Sequence, residues 1–473
     1  MNKKALRKKL NDGIYYCEEI LGNTLWKKQK EIINSIEHFQ KTTVRSCNGA
    51  GKSFISARVA LHFLSTKKNS IVITTAPTFK QVANILWREI RTAYNLSPYE
   101  IGGTLLQTAI NISDKWYAFG GTSDEPSNFQ GYHAEDILII IDEASGIKEE
   151  IFDAIEGNLT SERSRLLMIG NPIEVSGVFF QSHRLETYNK IHIAVWDTPN
   201  FTAFGITRDD ILNGTWEEKI TGPLPFPGLV TPRWVADKVV SWGTGSPMWD
   251  ARIEGNFPEL GTDTLIPLIY VEQAAQRELT PKDDDEESIG GDFARFGDDK
   301  IVFTPRKGPK VKEQSIHQKM DTMASGQIAD HIFKSHPFAH FNGDIIGLGS
   351  GPMDRLRQLN PMREDMIHDV NVAIDANDSE RFINLRAEIF WSLRERFIAG
   401  DIDIPDDDEL KAQLSSIKYK FDSRGRIQIE SKEDMKKRGL PSPDRADSLA
   451  LAFYKGKDIP SILEYMKKSN SNP

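Results

Sequence analysis

Up to about residue 200, short apolar runs alternate with stretches of helical periodicity. The runs are "SIVITTAP" (70 to 77), "DILIIIDEA" (136 to 144), "RLLMIGNP" (165 to 172) and "KIHIAVW" (190 to 196). Such runs predict strands, and the five consecutive apolar positions of "ILIII" predict one buried on both faces. Strands separated by helical segments call for crossover connections, hence a parallel sheet. From 197 to 264 the pattern weakens, and "TGPLPFPGLVTPRW" is rich in Pro and Gly, so a small lid or connecting subdomain is expected there.

A second pattern begins after the acidic run of "TPKDDDEESIGGDF" (280 to 293), which places a linker near 265 to 287. "KIVFTPRKGPKVKEQSIHQK" reads as a β-hairpin with a Lys/Gly/Pro turn. "FAHFNGDIIGLGSGPMDRL" reads as a strand end, a glycine loop and a helix. "RFINLRAEIFWSLRERFIAG" is helical, "DSRGR" marks another hairpin, and "SPDRADSLALAF" (442 to 453) starts a helix with Ser442 as N-cap and Pro443 at the first helical position. The expected organisation is an α/β nucleotide-binding core at 1–196, a lid at 197–264, the linker at 265–287, a second mixed-sheet domain at 288–460 and a tail at 461–473.

Composition adjusts this picture little. A chain of 473 residues exceeds what one core organises. Its 39% hydrophobic and 27% charged residues are ordinary for a soluble globular protein. No stretch is long and apolar enough for a membrane span, so an intracellular protein without a membrane partner is expected. The two cysteines, Cys17 and Cys47, fit a reducing compartment better than a disulfide framework. With a net charge of -9, any affinity for nucleic acid must come from local basic surfaces. The segment "KYKFDSRGRIQIESKEDMKKRG" (418 to 439) is one such surface, or a solvated hairpin face. The N-terminal "KKALRKK" reads as a solvated helix start.

The first candidate chemistry lies in "VRSCNGAGKSFISARVALHFL" (44 to 64). In a phosphate-binding loop, backbone N–H groups wrap the phosphates, a lysine reaches the β and γ positions and a hydroxyl meets Mg²⁺. Ser46, Asn48, Gly49, Ala50, Gly51, Lys52 and Ser53 supply these parts, with Ser46 where the usual pattern has glycine. Asp142 and Glu143 end the buried "ILIII" strand. They provide a carboxylate for the Mg²⁺ shell and one to orient and deprotonate water. ATP is the nucleotide expected. Gln29, in "LWKKQKEII", either reads the adenine edge or belongs to a plain amphipathic helix. Arg45 either touches the γ-phosphate or is a strand-end cation, and Asn171 either senses that phosphate or turns the chain with Pro172.

The second constellation is acidic. Asp292 and Asp344 each end a short strand ahead of glycines, and Asp444 and Asp447 share one side of the last helix. Taken singly, Asp292 and Asp344 are ordinary turn formers. Together these carboxylates form a set able to hold two Mg²⁺ or Mn²⁺ ions about 3.5 to 4 Å apart, the arrangement that hydrolyses phosphodiesters. Asp298 and Asp299 are further candidates that spacing does not separate.

With these residues in place the chain resembles the bacteriophage terminase large subunits. The resemblance spans nearly the whole sequence and is carried by "RSCNGAGKS", "GYHAEDILIIIDEA", "MIGNP", "GDFARFGDDK", "GDIIGLGSG" and, most specifically, the "SPDRAD" core. It implies a RecA/ASCE-like translocating ATPase followed by an RNase H-like nuclease. Lys52 and Ser53 would hold phosphate and Mg²⁺, Asp142 the metal shell and Glu143 the water. Arg45 matches the loop arginine, and Asn171 falls in the coupling segment. Asp292, Asp344 and Asp447 would be the nuclease metal ligands, with Asp444 as accessory. It further implies double-stranded DNA, a small terminase subunit, a portal on a procapsid, a ring that is pentameric when docked, and the host cell cytoplasm. A trans-acting arginine is expected in such a ring, with Arg88, Arg91, Arg163 and Arg165 as candidates. The competing reading is a helicase-like ATPase whose second domain binds nucleic acid without cutting it.

Overall fold

The computed structural model describes residues 9–122, 129–258, 263–294, 299–347 and 349–456. Two compact units divide between Leu260 and Gly261. Asp298 and the tail at 461–473 lie outside the described residues, as does most of "KKALRKK".

Unit 1 is built on eight strands: β1 (Lys41–Ser46), β2 (Ile71–Ala76), β3 (Thr104–Leu105), β4 (Ala109–Ser113), β5 (Trp116–Thr122), β6 (Ile137–Asp142), β7 (Arg165–Gly170) and β8 (Asn189–Ile193). Their order is β3-β4-β5-β2-β6-β7-β1-β8, parallel from β5 to β8 with an antiparallel β3-β4 edge. Every residue of β6 is buried, as its apolar run requires. Ile137, Ile139 and Ile141 pack with Ile151, Phe152 and Ile155, and the helix Lys52–Thr66 also packs against β6. β7 stands between β1 and β6, so the ends of three strands converge where the phosphate loop leaves β1. Such a position outside the carboxyl ends of parallel strands is where open α/β sheets bind ligands.

The segment expected to be a lid with weak helical periodicity contains several helices, among them the short Arg208–Asn213 and the longer Pro232–Trp242. Capping marks their starts: Thr207 and Thr231 accept from Asp210 N and Trp234 N at 3.3 Å each. Between them the Pro-rich strap 225–229 is fixed by buried Asn200. That amide donates to the carbonyls of Phe226 at 2.8 Å and Val230 at 3.0 Å, and accepts from Phe226 N at 3.0 Å.

Unit 2 carries β9 (Glu287–Asp292), β10 (Ile301–Lys307), β11 (Lys310–Val311), β12 (Ser315–His317), β13 (His340–Asp344) and β14 (Ile367–Val370) in the order β11-β10-β9-β13-β14, with β12 also on β10. β10 is antiparallel to β9, whereas β9, β13 and β14 run parallel, which is the RNase H-like mixed sheet. A separate hairpin pairs β15 (Tyr419–Phe421) with β16 (Ile427–Ile429).

Strand alternation divides the sheet faces. Ile289, Phe303 and Phe341 join one core with Phe333, Met353 and Leu356. Gly290, Thr304 and Asn342 face the helix Asp444–Ala452 instead. Ser448 Oγ lies 2.7 Å from Thr304 Oγ1 and donates to Gly290 O at 3.0 Å, while Asn342 donates to Leu451 O at 3.0 Å. A Cβ at Gly290 would sit 2.0 Å from Ser448 O, so glycine sets how closely that helix approaches. Ala446, Leu449, Ala450 and Phe453 are buried in the core under it.

Much of the stretch expected as linker is built into unit 2. The helix Leu268–Gln276 buries Val271 and Ala274, beside buried Leu265 and Ile266. The acidic run made 265 to 287 read as linker, but the apolar positions before it take part in packing.

Candidate functional site

In unit 1 the loop after β1 turns through Gly49 and Gly51, at φ 64° and 80°. Its frame is tied to neighbours, with Cys47 N donating to Ile193 O and Asn48 N to Arg252 O, both at 2.8 Å. Ser46 and Asn48 therefore belong to the frame, and neither lines the cavity of about 1000 Å³ above the loop. Gly49, Ala50, Gly51, Lys52, Ser53, Gln29 and Glu143 do line it, together with Arg88 and the 225–229 strap. Val230 N donates to Gly49 O at 2.9 Å, which fastens the strap to the loop.

Ser53 Oγ donates to Asp142 Oδ2 at 3.0 Å, bringing the loop hydroxyl and the strand-end carboxylate together. Burial first, then the neighbouring Glu143, push the Asp142 carboxyl up to about 6. Lys52 donates to Asn171 Oδ1 at 3.1 Å and lies 3.8 Å from Glu143 Oε1. Asn171 Nδ2 donates to Ser46 O at 2.7 Å, so Asn171 links the loop, the lysine and the end of β7. Gln29 Oε1 accepts from Trp26 N at 3.3 Å.

Arg45 is placed otherwise. It is not among the cavity-lining residues, and its guanidinium lies 6.0 Å from the Phe257 ring centre. Arg91 is bonded to Gln107 O, Arg163 to Asp136 and Glu135, and Arg165 to Ile36 O.

In unit 2, Asp292 and Asp344 end neighbouring parallel strands registered Gly291 against Gly343, and by parity both follow the face that meets the last helix. Oxygens of Asp292, Asp444 and Asp447 lie within 4.8 Å of one another, all three residues buried or nearly so. Asp344 lines the adjoining cavity of about 470 Å³ with Asp292 and Asp447, while Asp299 lines a second of about 400 Å³ with Asp292 and Asp444. Asp299 also pairs with Lys436 at 3.4 Å.

The helix start differs from expectation. Pro443 is the N-cap, and Ser442 Oγ donates to Asp444 Oδ1 at 2.5 Å instead of capping the backbone. Asp444 Oδ2 accepts from Lys300 N at 2.7 Å, so both its oxygens are engaged by protein donors. Asp344 Oδ1 accepts from Ile346 N at 2.9 Å.

Two residues that pattern reading passed over complete the site. Lys432 Nζ stands 2.9 Å from Asp447, 3.2 Å from Asp444 and 3.4 Å from Asp292. Arg386 reaches Asp447 Oδ1 at 3.2 Å and Glu430 O at 2.7 Å. Burial pushes the Asp292 carboxyl up to about 8 against the pull of Lys432. Burial also acts to raise Asp447, but Lys432 and Arg386 outweigh it and hold that carboxyl below its ordinary range. Burial and the cations thus move the two carboxyls in opposite directions, Asp292 up and Asp447 down. Lys432 had one signal in the sequence: it follows the N-cap Ser431, so a cation occupies the positive end of a helix. Arg386 had none, because it is one of several arginines in an ordinary helical stretch.

The chain is 26% identical over 472 residues to the probable large terminase subunit of Enterobacteria phage P7, a match covering 93% of this chain and 90% of that protein. The chain is thus similar to a phage terminase large subunit. No protein-family model matches. Among solved structures it is similar to the large terminase of bacteriophage HK97, with 12% identity, 94% of this chain and 99% of that one covered, and a TM-score of 0.39. It is also similar to the nuclease domain of the large terminase subunit of bacterial virus Sf6, with 20% identity, 41% and 99% covered, and a TM-score of 0.38.

Proposed function

We propose that the chain is the motor and nuclease of a phage DNA-packaging machine. Unit 1 hydrolyses ATP to drive double-stranded DNA into a procapsid, and unit 2 cuts the concatemeric genome. The observation that carries this reading is the meeting of Asp292, Asp444 and Asp447, with oxygens within 4.8 Å, in a chain that also holds a phosphate loop.

Divalent cations fit the acidic group. Its three carboxylates come from two elements, Asp292 from β9 and Asp444 and Asp447 from the last helix, and a cationic side chain already lies among them at 2.9 to 3.4 Å. A bound Mg²⁺ or Mn²⁺ pair supplies activation of water and stabilisation of the leaving oxygen. Asp292, Asp447 and Asp344 are the ligands; Asp444, hydrogen-bonded through both oxygens, serves as accessory and fixes the Lys300 backbone. In unit 1, Lys52 and the N–H groups around Gly49 to Gly51 hold the phosphates. Ser53 and Asp142 hold Mg²⁺, Glu143 orients and deprotonates water, Gln29 meets the base, and Asn171 relays the state of the loop.

DNA contacts are assigned to the β15–β16 hairpin. Lys418 pairs with Asp263 and Arg426 with Asp422, which leaves Lys420 and Arg424 for phosphates. A small terminase subunit, a portal and a docked pentameric ring in the host cytoplasm complete the proposal.

The test is plasmid DNA incubated with purified protein and Mn²⁺. Cutting that disappears in Asp292→Ala and Asp447→Ala supports the nuclease, whereas intact DNA favours a helicase-like ATPase with a binding-only second domain. Procapsids, small subunit and ATP test the motor: DNA that stays fully sensitive to added nuclease overturns it.

A further inference from the structure

The phosphate-loop cavity contains a second cation besides Lys52. Arg88 lines it with Lys52, Ser53 and Glu143, and all of these belong to one chain. Arg88 lies on the helix Trp87–Leu96, which is anchored on both sides of that residue. Trp87 Nε1 donates to Thr74 Oγ1 of β2 at 2.8 Å, and Glu89 pairs at 3.1 Å with Arg58 of the helix that follows the loop. The Arg88 carbonyl accepts from Thr92 Oγ1 within the helix, while its guanidinium has no hydrogen bond or ion pair among the described residues.

The other arginines considered are engaged elsewhere. Arg91, Arg163 and Arg165 are hydrogen-bonded outside the cavity, and Arg45 lies over Phe257. Arg88 alone of these combines a held backbone, an unengaged guanidinium and a place in the cavity.

We infer that Arg88 is a catalytic arginine acting in cis: its guanidinium contacts the terminal phosphate of the nucleotide held by its own chain and stabilises the charge that develops during transfer to water. This rests on the ATPase reading of unit 1. A planar, permanently charged fork suits a phosphoryl oxygen pair in a way that an ammonium does not. Because the helix bearing it is tied to β2 and to the helix after the loop, little backbone ordering is needed on binding.

The test uses the full chain, with steady-state ATP hydrolysis read at several enzyme concentrations and nucleotide binding read separately with a fluorescent ATP analogue. Arg88→Ala is expected to lower kcat by about a hundred-fold or more. Binding of the analogue should change little, the specific activity should not depend on enzyme concentration, and Arg88→Lys should restore only a small part of the rate. Mixing Arg88→Ala with Lys52→Ala is expected to give no recovery, since each chain needs both residues itself. Recovery on mixing, or an unchanged kcat in Arg88→Ala, overturns the inference. Wild-type protein that neither binds nor hydrolyses ATP overturns the underlying ATPase reading instead. Unchanged melting temperatures of the exposed-site variants keep loss of fold from imitating loss of catalysis.

Discussion

Glu143 occupies the left-handed region at φ 50°, one of three described non-glycine residues with positive φ. A non-glycine residue there costs roughly 1 kcal/mol, which the surroundings must impose. Gly170 lets the turn come this close to the end of β7, since a Cβ there would lie 2.8 Å from Ala144 N, and the Glu143 carboxylate lies 3.8 Å from Lys52. If Glu143 deprotonates water, Glu143→Gln should reduce kcat for ATP by about 100-fold to 10,000-fold and leave nucleotide affinity intact. Equilibrium binding beside single-turnover hydrolysis measures both.

His62 shows what burial alone does to a residue. Only 8% exposed and set 5.2 Å from the Tyr16 ring, it is pushed by desolvation down to about 4. Its folded pKa lies below the unfolded value near 6.5, so between those values the unfolded chain binds the extra proton. Stability is full above about pH 6.5 and falls as pH drops through the window, by about 3 kcal/mol at the lower end. Denaturant unfolding of wild type and His62→Leu at about pH 7 and pH 4 should show the variant losing less by about that amount. Equal losses would mean that the ring titrates freely in the folded chain.

Elements with a long, pure pattern were legible from the sequence. β6 is apolar throughout and lies central in its sheet; the β10–β11 turn and the helix Leu385–Ala399 also follow their patterns. Short elements were not, because a helix of four to six residues shows too little of its period, and the β3–β4 edge shows too little of its alternation. Candidate acids could be named one by one, since each ends a strand or starts a helix. Their neighbours could not: Arg386 reaches Asp447 across 61 positions of sequence and Lys432 reaches Asp292 across 140, by tertiary packing. One element-level substitution tests that packing. Gly290→Ala should force the helix Asp444–Ala452 off β9, cost about 1 to 3 kcal/mol, and separate Asp447 from Asp292. Thermal melting and Mn²⁺-dependent cutting should both fall; an unchanged variant would show that the helix seat is not tight.

At the scale of the whole molecule, each unit holds its own core, so each should survive separation. The cut matters. Tyr419 N donates to Asp263 O at 2.7 Å and Leu265 N to Ile417 O at 2.9 Å, so unit 2 must keep these residues. A fragment from Gly261 onward is expected to melt cooperatively and to cut DNA with Mn²⁺ while showing no ATPase activity. Its DNA affinity should fall with salt, and Lys420→Ala with Arg424→Ala should each reduce the slope by about 1.

The ammonium of Lys432 among three carboxylates has one more implication, for how the fold depends on metal. With Arg386 beside it, two cations of the chain stand against the three carboxylates without any ion from solution. Many small metal domains unfold when chelated because metal binding supplies their folding free energy. Here a large apolar core holds the fold and an internal counterion offsets the charge of the acids, so EDTA should abolish cutting while leaving the melting temperature of unit 2 nearly unchanged, and metal must compete with a tethered charge to enter.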